Sequence, residues 1–432
     1  MRINRYALAA IAAALAGGGV AHATHGYFAY GYGTKSKGMA GAGVALPLDS
    51  LQAAVNPAGM VWLGNRFDVG AGIFSIRPQY RVKGAPSGAP GTLPLVAETV
   101  KGKRGYIFVP DLGVNKMLDP NGSVGLSMYT NGGADTSYPG TAGGGHGSLY
   151  GGPTGVKLEQ FFIQASYARK FNPKSSWGLG LVSAIERFGA HGLSHFAPFV
   201  ADGTPDHLTN NGEQDHVGFG WKAGVQAQAA KNLTLAASYQ SKIKVPRFKQ
   251  YEDLIAQGGR LDVPPTATIG LAYKTSPRGT LAFDVQEIWY TKVPSLSNPF
   301  ANIAGFKSGD ASKGLGGENG IGLGWKDVTA VKLGYQCVAS PKWTYRAGVD
   351  YGKQPIRSSE VFFNLIAPGV EEWHYTIGAT HTLKKGAELS VAALYAPITS
   401  VTGYNPLEAK GQQSITLKQG EIGLEVSFGK AF

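Results

Sequence analysis

Cysteine is almost missing from this chain: among 432 residues there is one, Cys337. A lone thiol excludes an internal disulfide framework and a cluster of thiolate metal ligands. Long apolar runs are missing too, since no window after the first two dozen residues approaches the ~18 uninterrupted apolar residues of a membrane-spanning helix. Charged residues make up only 16%. Their balance is basic, at +12, but Lys and Arg form no clustered stripe, so no nucleic-acid partner is expected. Anionic lipid headgroups or acidic ligands suit such a balance better.

What is present begins with a leader pattern. Arg2 and Arg5 give a positive start, and Tyr6 to Leu15 is an apolar run too short to span a bilayer. Ala21-His22-Ala23 then supplies the small-x-small pattern of signal-peptidase cleavage. Residues 1–23 are therefore expected to be a signal peptide. The remaining chain of about 409 residues is long for one soluble domain but ordinary for one large barrel.

Period-two alternation dominates the rest. Val217, Phe219, Trp221, Ala223, Val225, Ala227 and Ala229 interleave with Gly218, Gly220, Lys222, Gly224, Gln226 and Gln228. After Lys231-Asn232 the pattern resumes, with Leu233, Leu235, Ala237, Tyr239, Ile243 and Val245 on one face. One such hairpin would also suit a soluble sandwich. About fourteen segments of this kind recur, near 67–81, 104–117, 123–131, 157–170, 177–188, 216–229, 233–245, 266–275, 279–292, 326–338, 343–353, 371–383, 387–397 and 415–432. Most run ten residues or more, which matches a tilted bilayer crossing. An even number can close on itself and leave no unpaired edge in lipid.

The connections sort by length. Asp119-Pro120-Asn121-Gly122, Asn172-Pro173-Lys174, Lys231-Asn232, Ser276-Pro277-Arg278-Gly279, Ser340-Pro341-Lys342 and Lys384-Lys385-Gly386 are tight turns. Between them lie long polar stretches such as 132–156, 189–215, 246–264 and 293–324. Outer-membrane barrels have short periplasmic turns and long external loops, whereas a sandwich has no reason to sort its loops. Trp177, Trp289, Trp325, Trp343 and Trp373 fall near strand ends beside Tyr290, Tyr345 and Tyr375, as an interfacial aromatic belt would. The chain closes with Ile422, Leu424, Val426, Phe428 and Phe432, which resembles the C-terminal signal read by the barrel-assembly machinery; Lys430 interrupts it. The expectation is an all-β, 14-stranded antiparallel transmembrane β-barrel over residues 66–432, embedded among outer-membrane lipid and lipopolysaccharide.

Residues 24–65 lack sustained alternation. Gly26, Gly31, Gly33, Gly38, Gly41, Gly43 and Gly59 punctuate them, a density that favours irregular, closely approached backbone. Such backbone is tolerated at membrane depth only inside a protein-walled lumen. A plug is therefore expected, with a periplasmic arm as the alternative.

Lys37-Gly38-Met39-Ala40-Gly41-Ala42-Gly43 and Asn56-Pro57-Ala58-Gly59 ahead of the first strand, with Leu261-Asp262-Val263-Pro264-Pro265, Phe363-Asn364-Leu365-Ile366-Ala367-Pro368-Gly369 and the terminal Phe, together resemble the FadL/TodX-type family of outer-membrane hydrophobic-compound transporters. The resemblance spans the whole chain after the leader. It implies a monomeric barrel whose N-terminal hatch blocks the lumen. Long-chain fatty acids or related lipids, or monoaromatic hydrocarbons, would land in an apolar groove between two external loops. They would then reach a pocket touching the hatch and leave sideways at an inward kink in the third strand. The hatch residues Asn56, Pro57, Ala58 and Gly59 would lie by that opening, and no cofactor is implied.

On this reading the ligand contacts are Phe196 and Phe199 in one loop, Tyr251, Leu254 and Ile255 in another, and Tyr27 and Phe28 at the N-terminus. For each, packing within loop or hatch is the plainer role. Strand parity places Lys222, Lys242, Lys244, Lys332 and Arg346 opposite the lipid-facing set. Lys332 and Arg346 are candidates to hold a carboxylate headgroup, although Asp284 and Asp350 could equally pair with such bases. An enzyme reading rests on His146-Gly147-Ser148. Directly after Ala142-Gly143-Gly144-Gly145 the pair lacks the rigid support that catalysis needs, so no catalytic residue is expected. Asp202, Asp206 and His207 match no defined cation loop, and no metal is expected.

Overall fold

The computed structural model describes residues 25–103, 105–141 and 152–432; the leader and the His146–Ser148 pair lie outside them. Fourteen long antiparallel strands form a closed ring. In chain order the strands are β1 (Arg66–Ile76), β2 (Gln79–Lys83), β3 (Thr99–Lys101), β4 (Gly105–Asp119), β5 (Gly122–Asp135), β6 (Gly155–Asn172), β7 (Ser175–His191) and β8 (Gln214–Ala230). They continue with β9 (Leu233–Gln240), β10 (Thr266–Lys274), β11 (Gly279–Ile288), β12 (Val328–Ser340), β13 (Trp343–Gly352), β14 (Trp373–Thr382), β15 (Ala387–Tyr404) and β16 (Ser414–Ala431). The ring closes where β16 pairs with β1 from Arg66↔Ala431 to Ile76↔Glu421. β2 and β3 are not part of the ring; they extend the upper end of β16.

Alternation sets the faces. Leu179, Leu181, Phe219, Trp221, Ile377, Leu424 and Val426 are exposed on the outside, while inward neighbours such as Glu425, Asp284 and Gln164 are buried. A barrel whose exposed face is apolar and whose interior is polar inverts the soluble arrangement, as lipid requires. Trp343 stacks on Tyr345 and Trp373 on Tyr375, all exposed, as a belt would have it.

Some expectations fail locally. The segment 67–81 breaks at Arg77-Pro78, because proline cannot donate to the ladder. Ile243 and Val245 do not face lipid. β9 ends at Gln240, and the chain turns inward to pair Ile243 with Val263, so both side chains are buried. Trp325 is no interfacial residue either: it is 2% exposed, inside the lumen.

Candidate functional site

The N-terminal residues 25–65 run inside the ring, and inward-facing strand positions form their bed. Asp284 on β11 accepts from the amides of Gly43 and Val44 (2.8 and 2.9 Å). Glu425 on β16 accepts from Thr34 Oγ1 (2.8 Å) and pairs with Lys37. Lys35 reaches Glu388 on β15 (2.5 Å), and Asp68 on β1 accepts from both the amide and the hydroxyl of Ser50. Inward glycines let backbone approach backbone: a Cβ on Gly334 or Gly348 would strike Met39, and one on Gly378 would strike Gly38.

Asn56-Pro57-Ala58-Gly59 sits in this bed. Asn56 Oδ1 accepts from Ala58 N (3.0 Å) and caps the short 3₁₀ turn Pro57–Trp62, which begins with proline because its first amide needs no partner. Asn56 Nδ2 donates to Val44 O and to Val225 O of β8. A Cβ at Gly178 of β7 would strike Pro57, one at Gly224 of β8 would strike Asn56, and Ser176 Oγ donates to Ala58 O. The segment therefore lies against β7 and β8 near the short-turn end. The same turn also reaches the third ring strand, where a Cβ at Gly125 would strike the Met60 side chain.

That third strand is β5, and it is irregular. Its ladder with β6 slips between Thr130 and Gly132, so Asn131 is bulged out of register. Gly132 and Gly133 have φ of 152° and 151°, values that side chains rarely adopt. The carbonyl of Asn131 accepts from Ala29 N (2.8 Å), its side chain accepts from Tyr32 Oη (2.6 Å), and Gly133 N donates to Tyr27 O (2.8 Å). A Cβ on Gly132 would overlap the Tyr27 carbonyl. On the other side of β5 the wall is interrupted. β4 pairs with β5 only from Asp111 to Asp119; above that its residues Gly105 to Pro110 pair with β1 alone. Pro110, at the parting, has no amide to donate. The N-terminal chain thus supplies to the bulged strand hydrogen bonds that a neighbouring strand would otherwise provide.

Above this point the long loops close the lumen around an apolar cavity, and such concave, mostly apolar spaces are where small molecules bind. Its walls are Tyr27, Ala134, Val156, Leu158, Phe188, Leu254, Ile255, Leu261, Leu296, Ile321, Leu323, Trp325, Phe363, Ile366 and Ala367, with Ser295 the one polar lining residue. Trp325 Nε1 donates to Asn364 Oδ1 (2.6 Å), so its indole can sit in an otherwise dry wall. A second, much smaller void shares Tyr27, Ala134, Trp325 and Ala367 with the first. It continues to Ile76, whose register partner Gly105 opens the unpaired part of β4. Tyr27 and Trp325 therefore stand between the cavity and the interrupted wall.

Of the candidate contacts, Tyr27, Leu254 and Ile255 line the cavity. Phe28 stacks behind Tyr27, with ring centroids 5.3 Å apart. Phe196, Phe199 and Tyr251 do not line it. Phe196 packs edge-on to Phe362 and Phe363, and Phe199 lies under Lys307. Tyr251 packs on Phe188 and bonds Gly212 O across to the neighbouring loop. The two loops are thus packed on each other, and their apolar residues are buried where an open groove was expected. Lys332 and Arg346 each bond to the protein itself. Lys332 Nζ donates to Tyr30 O (2.6 Å), and Arg346 donates to Gln336 and Thr380. Neither lines the apolar cavity, although Lys332, with Lys222 and Asp284, borders a smaller polar pocket beside Tyr30 and Tyr32. Trp325, Leu296, Ile321 and Phe363 went unrecognised in the sequence, because a loop residue buried by other loops has no periodic signature.

The family described as outer membrane protein transport protein (OMPP1/FadL/TodX) matches residues 15–419. The chain belongs to this family. It is accordingly an outer-membrane transport protein of the bacterial cell, and its family is one of transporters and channels, without enzymes. A long-chain fatty acid transport protein of Salmonella typhi is 26% identical over 380 residues, covering 81% of this chain and 82% of the relative. That of Escherichia coli K12 is 24% identical over 392 residues, with the same coverage. Two solved structures share the fold at 16% identity and a TM-score of 0.66. They are a Pseudomonas aeruginosa FadL homologue, covering 94% of this chain and 98% of its own, and the Pseudomonas putida toluene transporter TodX, at 93% and 99%.

Proposed function

We propose that this protein carries hydrophobic compounds passively across the outer membrane, through a barrel plugged by residues 24–65 and left sideways between β4 and β5. The observation that carries the reading is the dry cavity that meets, through Tyr27, a stretch of wall where the ladder between the ring strands β4 and β5 stops. A polar lumen would reject such cargo, whereas an apolar cavity with a lateral exit need never rehydrate it. The long loops face outside, and the ring closes within a single chain, which suits a monomer surrounded by lipid and lipopolysaccharide. Phe432 is the residue that the assembly machinery would read.

Long-chain fatty acids or related lipids fit the relatives named above. A second reading, monoaromatic hydrocarbons, gains from one observation: no Lys or Arg lines the cavity, so a carboxylate there would meet no cation. Mass spectrometry of small molecules retained by the purified protein, followed by displacement with oleate or with toluene, separates the two. Displacement by either supports transport of hydrophobic cargo; retention of neither, at concentrations that saturate detergent, overturns it. Asn56, Pro57, Ala58 and Gly59 act in this scheme as the anchor of the hatch on β7 and β8. Pro57→Gly should slow uptake several-fold in a barrel that still assembles, and normal uptake would remove them from the mechanism.

A further inference from the structure

We propose that His25, Asp350 and His374 form a binding site for one divalent transition-metal ion, with Zn²⁺ as the probe, which clasps the start of the N-terminal segment to the barrel wall. The three residues come from distant parts of the chain. Asp350 on β13 and His374 on β14 are register partners on the inward face, so the ladder fixes them side by side. His25 is brought to them by the inner segment. Its Nε2 lies 2.5 Å from Asp350 Oδ2, and His374 Nδ1 lies 3.3 Å from the same oxygen. One donor atom from each residue falls within 4.8 Å of the others, and all three side chains are buried.

Hydrogen bonding leaves this cluster unfinished. His25 Nδ1, Asp350 Oδ1 and His374 Nε2 have no hydrogen-bond partner among the described residues, and His374 Nδ1 has only its 3.3 Å contact with Asp350 Oδ2. Three orphaned atoms in one buried place are costly, and groups of this kind are normally satisfied. Two imidazoles and a carboxylate are the donor set of zinc and related ions, and a shared cation would draw on all three residues at once.

The surroundings suit a cation. Asp284, Lys332, Asp350 and His374 form an inward row across β11 to β14, each paired with the next. With neutral imidazoles the row holds two carboxylates against one ammonium, and that ammonium is turned to Tyr30 O. The site is also sculpted around His25. The imidazole lies on Gly352, where a Cβ would come within 2.7 Å of Nδ1. Tyr30 stacks on the His374 ring at 5.8 Å and 7°. Tyr290 Oη, bonded to His25 O and Tyr27 N, passes the position of His25 on to the ring that borders the cavity.

The test uses the full folded protein in detergent, stripped with chelator, dialysed against Zn²⁺ and analysed for metal, with heat-modifiable gel mobility as the check of folding. One Zn²⁺ per chain is expected, falling at least tenfold in His25→Ala and in Asp350→Asn and unchanged in His207→Ala, an exposed histidine in a loop. A folded wild-type protein that takes up no Zn²⁺, as a plain imidazolium–carboxylate pair would, overturns the proposal, as does full stoichiometry in His25→Ala. Should the variants fail to fold, Co²⁺ added to the wild-type protein reads the same question. Intense visible absorption of a tetrahedral ion supports the site, and the weak spectrum of hydrated Co²⁺ overturns it.

Discussion

The lumen is lined differently at its two ends. Toward the long loops, Trp325, Phe363, Leu254 and their neighbours enclose a space with a single polar side chain in its wall. Toward the short turns, the N-terminal segment rests on Asp284, Glu388, Glu425 and Asp68 through ion pairs and amide hydrogen bonds. Dispersion and burial hold the first region and are indifferent to direction, so cargo can replace side-chain contacts there at little cost. Directional, charge-assisted bonds hold the second, and each lost partner leaves a charge stranded. On the proposed route, passage belongs to one end and retention of the inner segment to the other.

Substitutions can break that contrast. The largest effect is expected from Leu254→Glu, which puts a carboxylate into the dry cavity. Uptake of hydrophobic cargo should fall more than about tenfold while the barrel still folds, because an unpaired charge excludes apolar contents. Uptake at the wild-type rate would take the cavity off the route. Next is Glu425→Ala, which strands Lys37 and frees Thr34. Removing one partner of a buried pair costs about 3–5 kcal/mol, enough to loosen the segment. Ion current across a planar bilayer should rise several-fold, with a smaller change in cargo uptake; an unchanged current would mean that the ionic bed does not retain the plug. The smallest effect belongs to Arg346→Gln. Since its guanidinium is committed to Gln336 and Thr380, uptake should change less than twofold, and a large loss would return this base to the ligand path.

The barrel was legible in the sequence for a physical reason. Lipid outside and a polar lumen inside force strict alternation at Leu179, Leu181, Phe219 and Trp221, and one register slip would reverse every side chain. The cavity was legible only in part. Leu254 and Ile255 stood out as apolar residues in an external loop and Tyr27 by its place in the family resemblance, but Trp325 was read as interfacial because position near a strand end does not tell inward from outward. The bulge at Asn131 was hidden for another reason: Asn131-Gly132-Gly133 reads as the start of a loop, and only pairing with β6 reveals that the strand goes on to Asp135. Likewise, the inward glycines Gly178, Gly224, Gly334, Gly348 and Gly378 outline the bed of the inner segment, yet in a linear reading they resemble ordinary interruptions of polar faces.

The seam between β1 and β16 has a consequence for biogenesis. β1 begins one residue after the inner segment ends, and its partner is the last strand of the chain. The inner segment leads directly into one edge of that seam, and its partners Asp284, Glu388, Glu425 and Gly224 belong to well-separated strands of the ring. An open sheet would hold some of those partners away from it, so closing the seam and seating the segment favour one another.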